Sequence, residues 1–130
     1  MSFEVILTTA APVPSSGYSQ ALRFGNMVVT AGYLGTHPDG SGVVPGGFEA
    51  ELRQAIGNVR AVLAAAGCSL ADVVRVNVSL TEISRFAEMD RIYCEYFSAP
   101  YPTRNTIGVK ELWGGAQVGL DVWAVLPGER

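Results

Sequence analysis

Arg104 is the side chain in this sequence best equipped to hold an organic anion. It lies in Tyr101-Pro102-Thr103-Arg104-Asn105-Thr106, where a proline-containing turn runs into an apolar-alternating stretch, 104–112. A guanidinium is always charged and offers a planar fork of donors that meets a carboxylate at two points. An arginine at a strand end can equally be solvated or paired with a surface acid, so the rest of the chain must decide. Other reactive residue types are sparse. There is one histidine, His37, in a Gly/Pro/Asp-rich loop, and Cys68 and Cys94 lie far apart with no C-x-x-C pair. The cysteines read as reduced thiols of a cytosolic protein. A serine triad, a Cys–His dyad and a histidine-rich metal site are not expected.

The elements that must position Arg104 follow from periodicity. Residues 3–9 form a short apolar run, read as an edge strand. Residues 10–17 carry two prolines and two serines and read as a loop. Runs 20–24 and 26–32 flank Gly25-Asn26, a hairpin signal. Met27-Val28-Val29 is apolar on successive positions, which fits a sheet covered on both faces. Residues 36–47 form a long Gly/Pro-rich loop.

The clearest helix spans 48–66, with Leu52, Ala55, Ile56, Val59, Val62, Leu63 and Ala66 on one stripe. Glu49 and Glu51 favour its start and Gly67 its end, while Gly57 is read as a point of close approach to the sheet. Val74, Val76, Val78 and Leu80 alternate with polar residues as a strand. Ser84 is expected to cap a second helix to about residue 97, with Phe86, Met89, Tyr93 and Phe97 as a core stripe. Runs 104–112 and 117–126 form the last strand pair. Arg104, Thr106 and Gly108 share one strand face; Gln117, Gly119, Asp121 and Trp123 share a face of the other strand. The order is β-β-β-α-β-α-β-β, an α+β layer with both helices on one sheet face. Arg104 and Asp121 are expected together on the opposite face, solvated or covered by another subunit.

The chain has 130 residues, enough for one domain over 1–130. Charged residues are only 16% against 48% hydrophobic, below the usual quarter or so. That shortage of polar surface suggests burial against copies of the same chain. The net charge of −3, without a basic cluster, argues against a nucleic-acid partner. No apolar run approaches a membrane span, and Met1-Ser2-Phe3-Glu4-Val5 lacks the layout of a signal peptide. A cytoplasmic location is expected.

Four motifs in order carry a resemblance: Gly17-Tyr18-Ser19-Gln20-Ala21, Gly25-Asn26-Met27-Val28-Val29-Thr30-Ala31-Gly32, Gln54-Ala55-Ile56-Gly57-Asn58-Val59 and Pro102-Thr103-Arg104. Over nearly the whole chain the sequence resembles the RidA/YjgF family, also called the L-PSP endoribonuclease family. The resemblance implies a chorismate-mutase-like fold and a homotrimer with a central barrel and clefts between subunits. It also implies a deaminase with no cofactor and no metal, which hydrolyses reactive enamines and imines of the 2-aminoacrylate type to 2-keto acids and ammonia. Arg104 would clamp the substrate carboxylate and Tyr18 would act as a lid. Ala31, Gly32, Asp90, Thr106 and Gly119 would complete the binding surface.

The sequence departs from the family where water is handled. The family's water-positioning glutamate falls on Gly119 here. Asp121, two residues on, is the candidate replacement and the third candidate catalytic residue beside Arg104 and Tyr18. The common cysteine is Thr106, a small polar serine is Ala31, and a helix asparagine at the site is Asp90. Gly119 is read as enlarging the cleft. Two functions stay open: an imine/enamine deaminase, and a non-catalytic trimer binding small carboxylates as sensor or carrier. The endoribonuclease activity in the family's name finds no basic groove to support it.

Overall fold

The computed structural model describes residues 2–128. The elements in chain order are β1 (Glu4–Ile6), β2 (Ala21–Phe24), β3 (Met27–Thr30), β4 (Tyr33–Leu34), α1 (Phe48–Ala65), β5 (Val73–Leu80), α2 (Phe86–Tyr93), β6 (Thr103–Gly108) and β7 (Val118–Val125). The expected order holds, with the two-residue β4 added. The strands form one mixed sheet in the order β1-β2-β3-β7-β5-β6, and β4 pairs with β7 beyond the end of β3. β5 and β6 are parallel, as they must be when α2 makes the crossover between them. The other pairs are antiparallel.

Both helices pack on one sheet face. Leu52, Ile56, Val59 and Leu63 of α1 are buried with Val28, Val76, Leu120 and Val122 of the sheet. Each such side chain contributes roughly 1.5–3 kcal/mol of burial. Gly25, at φ 55°, occupies the two-residue turn between Phe24 and Met27. Close helix–sheet approach falls at Gly35 and not at Gly57. A Cβ on Gly35 would lie 2.3 Å from the Glu51 carbonyl oxygen, whereas one on Gly57 would meet nothing nearer than 4.0 Å.

The opposite sheet face is open. Val5, Leu22, Val29 and Trp123 stand in register across four strands there, and Phe3, Val5 and Ile107 are exposed. Among the described residues, therefore, both helices lie on one face and no helix covers the other. Among the described residues no helix is long and apolar enough to cross a membrane.

Three buried polar side chains hold the segments that carry the candidate site. Gln20 is fully buried; its Oε1 accepts from Thr8 N at 2.7 Å and its Nε2 donates to the Thr8 and Pro12 carbonyls at 2.9 Å each. It pins the loop that leads to Tyr18. Asn58, also fully buried, donates to the carbonyls of Leu34 and Thr36 at 3.1 and 3.0 Å, so α1 fixes β4. Glu51 accepts from Gln117 N and Nε2, both at 2.8 Å, and ties α1 to the start of β7. Gln20→Met should keep the volume but strand several buried backbone groups. A loss of about 2–4 kcal/mol is expected, read as a lower urea midpoint at unchanged m-value with faster amide exchange in residues 8–18.

The second helix is shorter than its sequence pattern. A 3-10 turn, Ile83–Arg85, precedes α2, and no side chain caps the helix; Ser84 lies inside the turn. Phe97 lies beyond the end of α2 yet stacks on Tyr93, with ring centroids 4.4 Å apart.

Candidate functional site

Arg104 lies on the helix-covered face of the sheet, at its edge. It pairs across β5–β6 with the buried Val76, whereas Asp121 pairs with Asn77 on the open face. The expected shared face of Arg104 and Asp121 does not hold. Alternation assigns residues to two faces without saying which one is inward. On the edge strand β6 the inward set is Arg104 and Thr106, and Ile107 points outward at 47% exposure. Asp121 accepts from Asn77 Nδ2 at 2.9 Å.

What α2 lays over Arg104 explains why a guanidinium is tolerated there. Its Cζ lies 4.6 Å from the Tyr93 ring centroid and 5.2 Å from that of Phe86. Aromatic faces attract a cation and accept its apolar stem. Nη1 donates to Asp90 Oδ1 at 2.8 Å. Tyr93 is in the core as its stripe implies, whereas Phe86, also expected there, is 41% exposed because it lies at the start of α2; both rings seat the arginine. Burial pushes the Tyr93 phenol up to about 12 while the Arg104 charge pulls it down, so it stays neutral.

Arg104, Asp90, Tyr93, Cys94, Tyr101 and Pro102 line a cavity of about 420 Å³. Cys94 is an exposed free thiol, and its hydrogen bond to Tyr101 raises the phenol's pKa. The proline turn thus delivers Tyr101 and Arg104 to one cavity.

Tyr18 belongs to a second cavity, of about 530 Å³, whose walls include Val13, Ser16, Gly32, Leu34 and Trp113. Tyr18 is 46% exposed and Trp113 86%. Tyr33 also lines it; burial raises this phenol's pKa, helped by neighbouring Tyr18. The two cavities share no lining residue. Among the candidates, the fold brings Arg104 together with Asp90, and Tyr18 with Gly32. Ala31, Thr106, Gly119 and Asp121 line neither cavity. Ala31 donates its N–H to the Gln20 carbonyl, and the Thr106 hydroxyl is buried without a partner among the described residues.

Gly119 does not open space. A Cβ there would stand 2.8 Å from Leu34 Cδ2 and 3.3 Å from the Tyr33 carbonyl oxygen, because β4 pairs Leu34 directly with Gly119. The volume that a side chain would fill is already occupied by leucine, which overturns the reading of an enlarged cleft. Spacing and motif do not mark Leu34 or Trp113 as site residues. The only signal for either was an aromatic beside Gly114-Gly115, two positive-φ glycines. Among the described residues, no group of three or more His, Cys, Asp or Glu side chains is placed to hold a metal ion.

With this geometry established, residues 8–126 match the Endoribonuclease L-PSP family. The chain belongs to the RidA/YjgF family. One RidA/YjgF relative, the 2-iminobutanoate/2-iminopropanoate deaminase of Dermatophagoides farinae, is 35% identical over 122 residues, covering 94% of this chain and 95% of that protein. RidA from an Antarctic Psychrobacter superimposes with a TM-score of 0.89 at 38% identity, covering 94% and 98% of the two chains. TdcF of E. coli, solved with bound serine, gives 0.88 at 30% identity, with the same coverage. The RidA/YjgF fold accordingly extends over nearly all of this chain.

Proposed function

We propose that this chain hydrolyses small enamines and imines of the 2-aminoacrylate type to 2-keto acids and ammonia. The observation that carries the reading is Arg104, seated between two aromatic rings in the wall of a ligand-sized cavity. A relative named as a 2-iminobutanoate/2-iminopropanoate deaminase supports it, and so does a neighbour holding serine, a small carboxylate. In the reaction the enamine takes up a proton at its β-carbon to become a protonated imine. Water adds to the imine carbon, and the resulting carbinolamine expels ammonia and leaves a carbonyl. Arg104 grips the carboxylate and fixes the imine carbon, so much of the acceleration comes from orientation.

The working unit in this reading is a homotrimer. Its support is the open sheet face carrying Val5, Leu22, Val29 and Trp123, together with two half-sites that share no residue within one chain. A cleft between subunits would set the Tyr18 cavity of one copy against the Arg104 cavity of the next.

A second reading, a trimeric carboxylate binder without catalysis, is favoured by one feature. Leu34 occupies the place of a water-positioning acid at position 119, and Asp121 is engaged with Asn77 on the far face. One experiment separates the two. 2-Aminoacrylate is generated by a dehydratase, or imino acids by an amino-acid oxidase, and imine decay is followed with and without the protein. Acceleration by the wild type is expected. No acceleration across a panel of imino acids, with saturable keto-acid binding, would establish the binder instead.

A further inference from the structure

We propose that Asp90 makes the Arg104 cavity selective for charge: it favours a carboxylate bearing a cationic nitrogen on its α-carbon over keto acids and over dicarboxylates. The inference rests on Arg104 being the carboxylate clamp. Asp90 Oδ1 lies 2.8 Å from Arg104 Nη1, and both side chains line the same cavity. The pair is close to neutral, so the cavity draws anions weakly from a distance. A ligand carboxylate that takes the rest of the guanidinium fork must settle beside a fixed second carboxylate. The other lining residues, Tyr93, Cys94, Tyr101 and Pro102, bring no positive charge to offset that repulsion, and the lining of the Tyr18 cavity that would face them in a trimer holds no Lys or Arg either.

A ligand can supply the missing charge itself. A protonated imine or an ammonium group next to the ligand carboxylate faces Asp90 favourably, and a second ligand carboxylate faces it unfavourably. Side-chain exposures of 20% for Arg104 and 44% for Asp90 place the pair at the mouth of the cavity, where each such interaction is worth about tenfold in affinity. The device also acts in the direction of turnover. A cationic imine and water give a neutral carbonyl and an ammonium ion, so the nitrogen's positive charge departs with ammonia. The keto acid left behind is a plain anion beside Asp90, and its release is favoured.

The test is titration of the full-length protein with L-alanine, pyruvate and 2-oxoglutarate, compared between wild type and Asp90→Asn. The asparagine keeps a carbonyl oxygen for Arg104 and removes the charge. Pyruvate is expected to gain about tenfold in affinity and 2-oxoglutarate more, while alanine gains nothing or weakens. Asp90→Glu should restore the wild-type order, and Asp90→Ser should reproduce that of Asp90→Asn. Equal gains for all three ligands would mean that Asp90 merely competes for Nη1, and no change would mean that it does not face the ligand; either overturns the proposal. Arg104→Ala tests the clamp separately. If it binds pyruvate as wild type does, the clamp fails and the selectivity with it; if it loses pyruvate, the outcome at Asp90 stands on its own.

Discussion

Arg104→Ala should lower imine hydrolysis and keto-acid affinity by about a hundredfold or more, with little change in melting temperature. A ligand carboxylate that fills the cavity forms a desolvated, charge-assisted pair with Arg104, and removing one member of such a pair costs about 2–5 kcal/mol, which in a rate reaches from tens to thousands. The small effect on stability follows from where the side chain sits. Arg104 lies at the sheet edge rather than in the α1 core, and Asp90 is exposed enough for water to replace its partner. Arg104→Lys is the sharper probe. It keeps the charge but loses the second arm of the fork and the flat surface that stacks on Tyr93 and Phe86. An intermediate loss, roughly tenfold, is expected for both rate and affinity. The measurements are initial rates of imine decay and titration with pyruvate. An Arg104→Ala protein within about threefold of wild type in both would remove Arg104 from the site.

Much of the scaffold was readable because burial imposes a period. α1 and β7 show stripes or alternation that match their buried residues, and Gly25-Asn26 marks its hairpin where Phe24 pairs with Met27. β5 matches from Val76 to Leu80 only: a register shift between Val73 and Arg75 buries Val73 and turns Val74, expected inward, out to 42% exposure. The site was less readable, for reasons that lie in particular residues. Arg104 stands out by residue type and by its proline turn, but alternation along the edge strand β6 does not say which of its two faces is inward. What decides the matter is α2, which is short and presents aromatic rings suited to a guanidinium. β4 has only Tyr33 and Leu34, too few for any period, and exists because Asn58 binds the carbonyls on either side of Gly35. Nothing local in the sequence announces that Leu34 reaches across to Gly119. Gln20, Asn58 and Glu51 show the same limit: the sequence places the first two in motifs and the third at a helix start, and says nothing of the distant backbone groups that each one holds.

That hidden contact sets the second large effect. Gly119→Glu alone should destabilise the protein by about 1–3 kcal/mol, the usual cost of overpacking, and lower its melting temperature by roughly 4–12 °C. The new Cβ would press on Leu34 Cδ2 at 2.8 Å and approach the Tyr33 carbonyl oxygen at 3.3 Å. The first contact can yield, because it is the end of a flexible side chain. The second is backbone and is held by the β4–β7 pairing and by Asn58. Truncating the leucine should therefore relieve most of the strain, and Gly119→Glu with Leu34→Ala should be more stable than the sum of the single changes by about 1 kcal/mol or more. A coupling near zero would show that Leu34 is not the obstacle. The same pair tests the chemistry. A carboxylate freed to orient water should raise kcat in the double variant by roughly tenfold or more, while Gly119→Glu alone gains little because Leu34 still fills the space. If stability recovers but kcat does not rise, the parent already handles water by another group, and the glycine at 119 is no deficit.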